Sequence, residues 1–217
     1  MTERNLEQTD EFVANYDNSA RQYGWYTPEV LFGLMHERIE PGQEILDMGI
    51  GTGLSAVPFS RAGLEVYGLD SSRKMLDRCA VKDIATELKQ HDISSVPIPY
   101  DDDSFDHVVA SGVFHLMGEL GDVFREAARV MRRGGAFGFS LEVLSDDRIC
   151  EGNLLSDGLL ETRNRKTGVV AYLHSHNLVE GLLKRAGLEI AKTLDYVAYR
   201  KTEWADERSF RAYVAYD

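Results

Sequence analysis

Residues 44–63 contain the feature that most restricts the fold, a glycine-rich loop between a strand pattern and a helix pattern. Glu44–Met48 predicts a short buried strand, and Leu54–Ala62 predicts a helix that ends at Gly63. The loop between them, residues 49–53, reads Gly-Ile-Gly-Thr-Gly. Glycines there allow a tight turn and let another group approach the backbone without meeting a Cβ atom. A strand that turns into a helix in this way is typical of a parallel sheet built from βαβ units.

The alternation of strand and helix patterns continues through the next eighty residues. Further strands are predicted at Leu64–Leu69, Thr86–Gln90, Phe105–Ala110 and Ala136–Val143, with a helix capped by Ser71-Ser72 and an amphipathic helix at Leu120–Met131. After a helix at Asn177–Ala186, two strand patterns, Leu188–Tyr199 and Ser209–Tyr216, are joined by a short polar connection, which predicts an antiparallel pair. We therefore expect a parallel α/β sheet that is finished by an antiparallel hairpin.

The length of 217 residues fits one domain, residues 1–217. Helical spacing in residues 1–43 predicts an N-terminal helical cap. Residues 144–173 interrupt the alternation after the fifth strand, and we interpret them as an insert or lid. This insert contains a predicted hairpin that turns at Lys166-Thr167-Gly168.

Composition and charge exclude several classes of function. Hydrophobic residues make up 43% and charged residues 28%, and no apolar run is long enough to span a bilayer. The polar N-terminus has no signal-peptide core, so we expect a cytoplasmic protein without a membrane partner. A net charge of -12 repels phosphate backbones and argues against nucleic-acid binding. Cys79 and Cys150 lack metal-ligand spacing, and His174 and His176 lack a third ligand, so no metal site is expected.

The spacing of the glycines helps to choose between nucleotide-like ligands. The dinucleotide fingerprint G-x-G-x-x-G would place its third glycine at position 54, which is Leu54, and the chain also has no Tyr-x-x-x-Lys pair. An NAD-linked oxidoreductase is therefore disfavoured. Asp70 ends the second strand, where a carboxylate can accept hydrogen bonds from both hydroxyls of a ribose. Asp70 could instead cap the following helix.

Five segments, taken in their order along the chain, resemble motifs of a known family. ILDMGIGTGLSA, GLDSSRKML, HDI, FDHVVASGVFHL and EAARVMRRGGAFGFS resemble the successive motifs of the class I S-adenosylmethionine (SAM)-dependent methyltransferases. The tail AYLHSHNLVEGLLKRAGLEI is similar to a bacterial group of predicted methyltransferases, some of them fused to tetratricopeptide repeats. The resemblance implies a Rossmann-like sheet of seven mostly parallel strands with helices on both faces, SAM as cofactor and S-adenosylhomocysteine (SAH) as product.

The same resemblance implies roles for individual residues. Gly49, Gly51 and Gly53 would pack against the methionine part of SAM, and Asp70 would bind the ribose. Ser71 and Met75 would lie near the adenine, with Asp92 and Ile93 at its amine and ring face. Tyr16 and Tyr23 would close over the cofactor, although helical packing also explains them. The complete set assigned to the cofactor is Tyr16, Tyr23, Asp47, Gly49, Gly51, Gly53, Asp70, Ser71, Met75, Asp92, Ile93 and Ser111.

The acceptor of the methyl group is expected beyond the fourth strand. Ser111, Phe114 and His115 follow that strand, and His115 is the candidate general base, although a packing histidine is the alternative. Tyr172 and His174 could line the acceptor pocket; alternatively, Ser175 caps the following helix, and His174 and His176 lie at the surface. Neither the Asn/Asp-Pro-Pro-aromatic stretch of amine-directed DNA methyltransferases nor a Pro-Cys nucleophile is present.

These observations favour in-line transfer of a methyl group from SAM to a small-molecule acceptor. A SAM- or SAH-binding sensor, or a pseudo-enzyme without transfer activity, is the alternative, since no base is unambiguous. Both a monomer and a homodimer stay open.

Overall fold

A computed structural model describes residues 10–163, 168–199 and 207–217. The helices are α1 (Asp10–Tyr23), α2 (Thr27–Met35), α3 (Ala56–Arg61), α4 (Arg73–Ala80), α5 (Gly121–Val130) and α6 (His176–Arg185). The strands are β1 (Glu44–Met48), β2 (Glu65–Asp70), β3 (Glu87–Gln90), β4 (Phe105–Ala110), β5 (Met131–Glu142), β6 (Asn153–Ser156), β7 (Leu159–Arg163), β8 (Val170–His174), β9 (Glu189–Tyr199) and β10 (Arg208–Tyr216).

Seven strands form the main sheet in the order β3-β2-β1-β4-β5-β10-β9. The first five are parallel, whereas β10 runs antiparallel to both β5 and β9. The predicted fold class, a Rossmann-like, mostly parallel sheet with an antiparallel C-terminal hairpin, is therefore confirmed. The strand order reverses between β1 and β4, and ligands of open α/β sheets bind beyond the carboxyl ends of strands at such a point.

Both faces of the sheet are buried, because successive strand residues point to opposite sides. Leu46 of β1 belongs to a core that packs against α5 and α6, and its neighbour Ile45 belongs to a second core beneath α2, α3 and α4. The central strands β1 and β4 are consequently buried along nearly their whole length, as parallel strands covered on both faces usually are.

The strands β6, β7 and β8 form a second, three-stranded sheet in the order β6-β7-β8. A parallel bridge joins Val143, just past β5, to His174 at the end of β8, and the Leu144 N–H donates to the His174 carbonyl at 3.0 Å. The predicted hairpin is present as the β7–β8 pair. Its predicted turn at Lys166 and Thr167 lies outside the described residues. The small sheet thus starts from the carboxyl end of β5.

Two predicted boundaries differ from the structure by more than one residue. Helix α3 begins at Ala56 rather than Leu54, because the Ser55 hydroxyl donates to Asp47 and does not cap the helix. Strand β5 begins at Met131 rather than Ala136, since Met131 pairs with Phe105 and an irregularity in the ladder then accommodates the two glycines that precede Ala136. Within the described ranges, no helix has the length and apolar character needed to cross a bilayer.

Candidate active site

The glycine loop joins β1 to α3 at the carboxyl edge of the main sheet. Gly51 has φ +56°, and a Cβ atom placed on it would meet only the Asp70 Oδ2 atom, at 4.0 Å. In contrast, a Cβ on Gly49 would lie 2.9 Å from Val113, and one on Gly53 would lie 2.6 Å from the Cys79 sulfur. Close packing therefore requires Gly49 and Gly53 whether or not a ligand is bound, whereas Gly51 borders open space that a ligand can use.

Asp70 binds the glycine loop directly. Its Oδ2 accepts the Gly51 N–H at 2.8 Å, and its Oδ1 accepts the Ser72 N–H at 2.8 Å. Ser72, not Asp70, caps helix α4, because the Ser72 hydroxyl accepts the Met75 N–H. Burial raises the pKa of Asp70 despite these two hydrogen bonds. Each carboxylate oxygen keeps a second lone pair, so Asp70 can still accept hydrogen bonds from two hydroxyl groups.

Asp47, at the end of β1, is fully buried. Its Oδ2 accepts the Ser55 hydroxyl, but its Oδ1 has no hydrogen-bond partner among the described residues. Burial raises the pKa of Asp47 to about 7. The hydrogen bond from Ser55 opposes this shift, and the negative charge of Asp70 adds to it. Because buried polar atoms are nearly always hydrogen-bonded, this oxygen marks a place where a ligand donor fits.

The four residues expected near an adenine lie at the ends of β2 and β3. Ser71 is exposed, and its carbonyl accepts a hydrogen bond from Gln90 at 3.0 Å. Met75 is buried on α4, and Ile93 is buried in the core. Asp92 accepts hydrogen bonds from the N–H and the hydroxyl of Ser94, so one of its carboxylate oxygens holds a local turn.

His115 lies beyond β4, in the short 3-10 turn Phe114–Leu116. Its ring packs edge-on against Phe210 with centroids 5.2 Å apart, and its Nδ1 is buried without a partner in the described parts of the chain. The hydroxyl oxygen of Ser111 is orphaned in the same way. Burial lowers the pKa of His115 to about 4, although the charge of Glu142 opposes the shift. The imidazole is therefore neutral at pH 7 and able to accept a proton.

Two of the other predicted acceptor residues, Phe114 and His174, lie in the interior of the protein. Phe114 is fully buried among Phe124, Phe137 and Phe139. His174 is also fully buried, where its Nε2 lies 3.2 Å from the Gly118 carbonyl, and burial lowers its pKa.

Tyr172 is half-buried and lies on the same strand as His174. Its hydroxyl donates to Glu161 at 3.4 Å, and its ring faces Gly118. Tyr172 and His174 thus pack the small sheet against the loop after β4.

Sequence patterns missed two clusters at this edge of the sheet. One is an ion cluster of Glu142, Arg148 and Arg208. The one sequence feature that could have indicated this ion cluster is an acidic residue at the end of an apolar strand. Asp47 and Asp70 occupy the same kind of position. The other is aromatic: Trp25 stacks on Tyr199 with centroids 4.7 Å apart and meets Phe210 edge-on at 5.7 Å. Three distant segments supply these rings, so no local pattern reveals the cluster.

Comparison with known families matches residues 46–139 to a methyltransferase domain. Residues 46–139 are a domain of the class I SAM-dependent methyltransferase family. The predicted family is thereby confirmed. This methyltransferase domain begins in β1 and ends in β5, so it contains the glycine loop, Asp70 and His115.

The methyltransferase domain has relatives of known name. The chain is 32% identical over 173 residues to a 27-O-demethylrifamycin SV methyltransferase of Amycolatopsis mediterranei, a match that covers 76% of this chain and 61% of the relative. It is 37% identical over 100 residues to a phosphatidylethanolamine N-methyltransferase of Cereibacter sphaeroides, covering 43% of this chain and 48% of the relative. The chain therefore spans less than two thirds of the length of either relative.

Solved structures share the fold of the methyltransferase domain. A SAM-dependent methyltransferase from Methanosarcina mazei superimposes with a TM-score of 0.69 at 18% identity, over 84% of this chain and 95% of that one. This likeness concerns the fold alone.

SAM is the cofactor of this family, and SAH is the product. SAM carries an ammonium group and two ribose hydroxyls as hydrogen-bond donors. The structure offers acceptors for both kinds of donor, namely the orphaned oxygen of Asp47 at the end of β1 and the remaining lone pairs of Asp70 beside the open space at Gly51. The residues of the methyltransferase domain thus fit the cofactor.

Proposed function

We propose that this protein transfers the methyl group of SAM to a small-molecule acceptor by in-line displacement. One observation carries the proposal: the glycine loop with Asp70 and the two orphaned polar atoms of Ser111 and His115 lie at the same carboxyl edge of the sheet. Parallel strands β1, β2 and β4 are adjacent, so their carboxyl ends can hold a cofactor and an acceptor side by side.

When bound, SAM supplies a methyl group that is already activated by its positive sulfur. The protein residues orient the acceptor, shield it from water and take up its proton. His115 is neutral at pH 7, so its Nδ1 can accept a proton from an O–H group of the acceptor. A base of such low pKa is weak, but the hydroxyl proton becomes strongly acidic as the oxygen forms its bond to the methyl carbon.

Three further observations support a small-molecule acceptor. The chain carries a net charge of -12, which disfavours a nucleic acid. It lacks the motifs of amine-directed and cytosine-directed DNA methyltransferases. One relative is named for a rifamycin precursor.

We also propose that residues 144–173 act as a lid, since they rise from the carboxyl end of β5 beside His115.

A SAM- or SAH-binding sensor without transfer activity is the second candidate, and the low pKa of His115 favours it. The two candidates differ in one observable result. A sensor binds SAM and SAH but forms no methylated product with any acceptor, whereas the proposed enzyme turns over.

The first test is calorimetric titration of the purified protein with SAM, SAH and NAD. Binding of SAM and SAH on the order of micromolar is expected, with no binding of NAD. Asp70→Ala and Gly51→Ala should lose this affinity, while the matched controls Asp77→Ala and Gly33→Ala should keep it. Asp77 is an exposed residue of α4, and a Cβ on Gly33 meets nothing within 4 Å. Binding of NAD alone, or of none of the three, would refute the proposal.

A further inference from the structure

The carboxyl end of β5 carries a buried ion cluster that the cofactor-binding residues leave unused. Glu142 is fully buried, and its two oxygens lie 2.8 Å from the Arg148 guanidinium and 2.8 Å from the Arg208 guanidinium. Arg148 also pairs with Glu151, whose side chain is 44% exposed, so solvent weakens that interaction. The buried part of the cluster therefore contains two positive groups and one negative group.

Arg208 is the member of this cluster with spare hydrogen-bonding capacity. Its Nη1 donates to Glu142 at 2.8 Å. A guanidinium has five N–H donors, and Arg208 makes no other hydrogen bond to the residues that the structure describes. Arg148, in contrast, uses both its Nε and its Nη2 on Glu151. The Arg208 side chain is 28% exposed, so its remaining donors can reach a ligand.

The surroundings of Arg208 are aromatic and belong to the proposed acceptor site. Arg208 is the register partner of Tyr199, which stacks on Trp25. Phe210, two residues further along β10, lies on the same face of the strand and contacts the ring of His115. The positive charge of Arg208 is also one of the causes that lower the pKa of His115. A cation, aromatic rings and an unpartnered imidazole nitrogen are therefore neighbours.

We propose that Arg208 binds a carboxylate group of the methyl acceptor and so selects acidic aromatic acceptors over neutral or cationic ones. The inference rests on the proposed function, because it concerns the same acceptor site. The planar guanidinium fork matches a carboxylate in geometry, and the half-buried setting strengthens the charge-assisted hydrogen bonds. The ring of such an acceptor would contact the cluster of Trp25, Tyr199 and Phe210. Its hydroxyl would then be presented to His115.

Three probes with one ring and one hydroxyl group test the charge preference. They are 4-hydroxybenzoate, 4-hydroxybenzamide and 4-hydroxybenzylamine, which are respectively anionic, neutral and cationic at pH 7.5. Each is titrated into the SAH-loaded full chain, and its dissociation constant is measured by ligand-detected NMR. We expect the acid to bind about tenfold more tightly than the amide, and the amine to bind least.

Variants of Arg208 assign the preference to this side chain. Arg208→Gln removes the charge and should reduce the preference for the acid to less than about twofold, with SAH affinity unchanged. Arg208→Lys keeps the charge without the fork and should give an intermediate preference, which provides a test even where the Gln variant is unstable. Arg211→Gln is the matched control, because Arg211 lies on the same strand but pairs with Asp195.

Two results would overturn the inference while leaving the proposed function intact. The first is equal binding of acid and amide, or binding of no probe, by a wild-type protein that binds SAH normally. The second is an unchanged preference in Arg208→Gln. Failure of the wild-type protein to bind SAH would instead contradict the proposed function, and the inference would fall with it.

Discussion

Thr52, in the middle of the glycine loop, donates its hydroxyl to Asp17 of helix α1 at an oxygen–oxygen distance of 2.5 Å. The other carboxylate oxygen of Asp17 lies 2.6 Å from the Lys82 ammonium, at the end of α4. Val13, one turn earlier on α1, is buried. The N-terminal helix is therefore attached to the glycine loop by a hydrogen bond and to Lys82 by an ion pair, so moving the helix away from the loop requires breaking both.

Asp17→Asn should speed the dissociation of SAH, because it weakens the attachment of α1 to Thr52 and Lys82. The loss of a charge-assisted hydrogen bond predicts an increase of about tenfold in the dissociation rate constant. Stopped-flow displacement of SAH measures this rate. Asp77→Asn is the control, since Asp77 pairs with Arg73 on the exposed side of α4. An unchanged rate in Asp17→Asn would show that α1 does not retain the ligand.

Asp47→Asn should stabilise the ligand-free protein at alkaline pH. Burial raises the pKa of Asp47 to about 7 in the folded state, whereas the unfolded carboxyl titrates near pH 4. Between these values only the folded state keeps the proton, so wild-type stability falls as pH rises from about 4 to about 7 and stays low above that.

We expect Asp47→Asn to gain about 2 kcal/mol over wild type at pH 8 and much less at pH 5. Urea unfolding at the two pH values measures the difference. SAH affinity should fall in the same variant, because the orphaned oxygen is the proposed partner of the ligand ammonium. An equal change in stability at both pH values would contradict the assigned pKa.

Gly51→Ala and Gly53→Ala should have different consequences, because the two missing side chains face different surroundings. A Cβ on Gly53 would overlap the Cys79 sulfur, so Gly53→Ala should lower the free energy of unfolding by about 3 kcal/mol. At Gly51 the only cost of a Cβ atom is the positive φ of the backbone. Gly51→Ala should therefore lower the free energy of unfolding by about 1 kcal/mol and abolish SAH binding.

Urea unfolding and SAH titration of both variants distinguish these effects. Adding Cys79→Ala to Gly53→Ala should restore part of the lost stability, because it removes the overlapping sulfur. No recovery in the double variant would show that backbone strain or the overlap with Ile84, rather than the Cys79 sulfur, dominates at Gly53.

His115→Gln should lower the rate of methyl transfer by about 10²-fold or more without changing SAH affinity, as expected for loss of a general base. The pKa of His115 is lowered to about 4, so the wild-type rate should be independent of this group from pH 6 to 9 and fall as the imidazole is protonated near pH 4. Steady-state kinetics with the best acceptor from a screen of hydroxylated aromatic acids measures both effects. His36→Gln, on an exposed histidine in the turn after α2, is the control. A rate equal to that of wild type would remove His115 from the chemistry.

Local sequence patterns were sufficient for the βα framework. The apolar runs at β1, β2 and β4 and the glycine loop were predicted within a residue or two, because strand and loop formation depends on short-range periodicity and turn chemistry. The position of Asp70 followed from the same patterns, as a polar residue at the end of a strand necessarily lies at the edge of the sheet. The start of α3 was predicted less accurately, because the Ser55 hydroxyl donates to Asp47 instead of capping the helix.

The sequence by itself therefore determined which backbone segments form strands and helices and which ligand class their glycine loop admits. Only the tertiary structure decided that Glu142 would meet Arg148 and Arg208, that Trp25 would stack on Tyr199, and that Phe114 would pack among Phe124, Phe137 and Phe139. The physical reason is that the periodicity of a sequence indicates only which side chains of one helix or strand are buried and which face they occupy. Contacts between distant side chains depend instead on the strand order β5-β10-β9 and its register, which bring residues from separate segments to the same edge of the sheet.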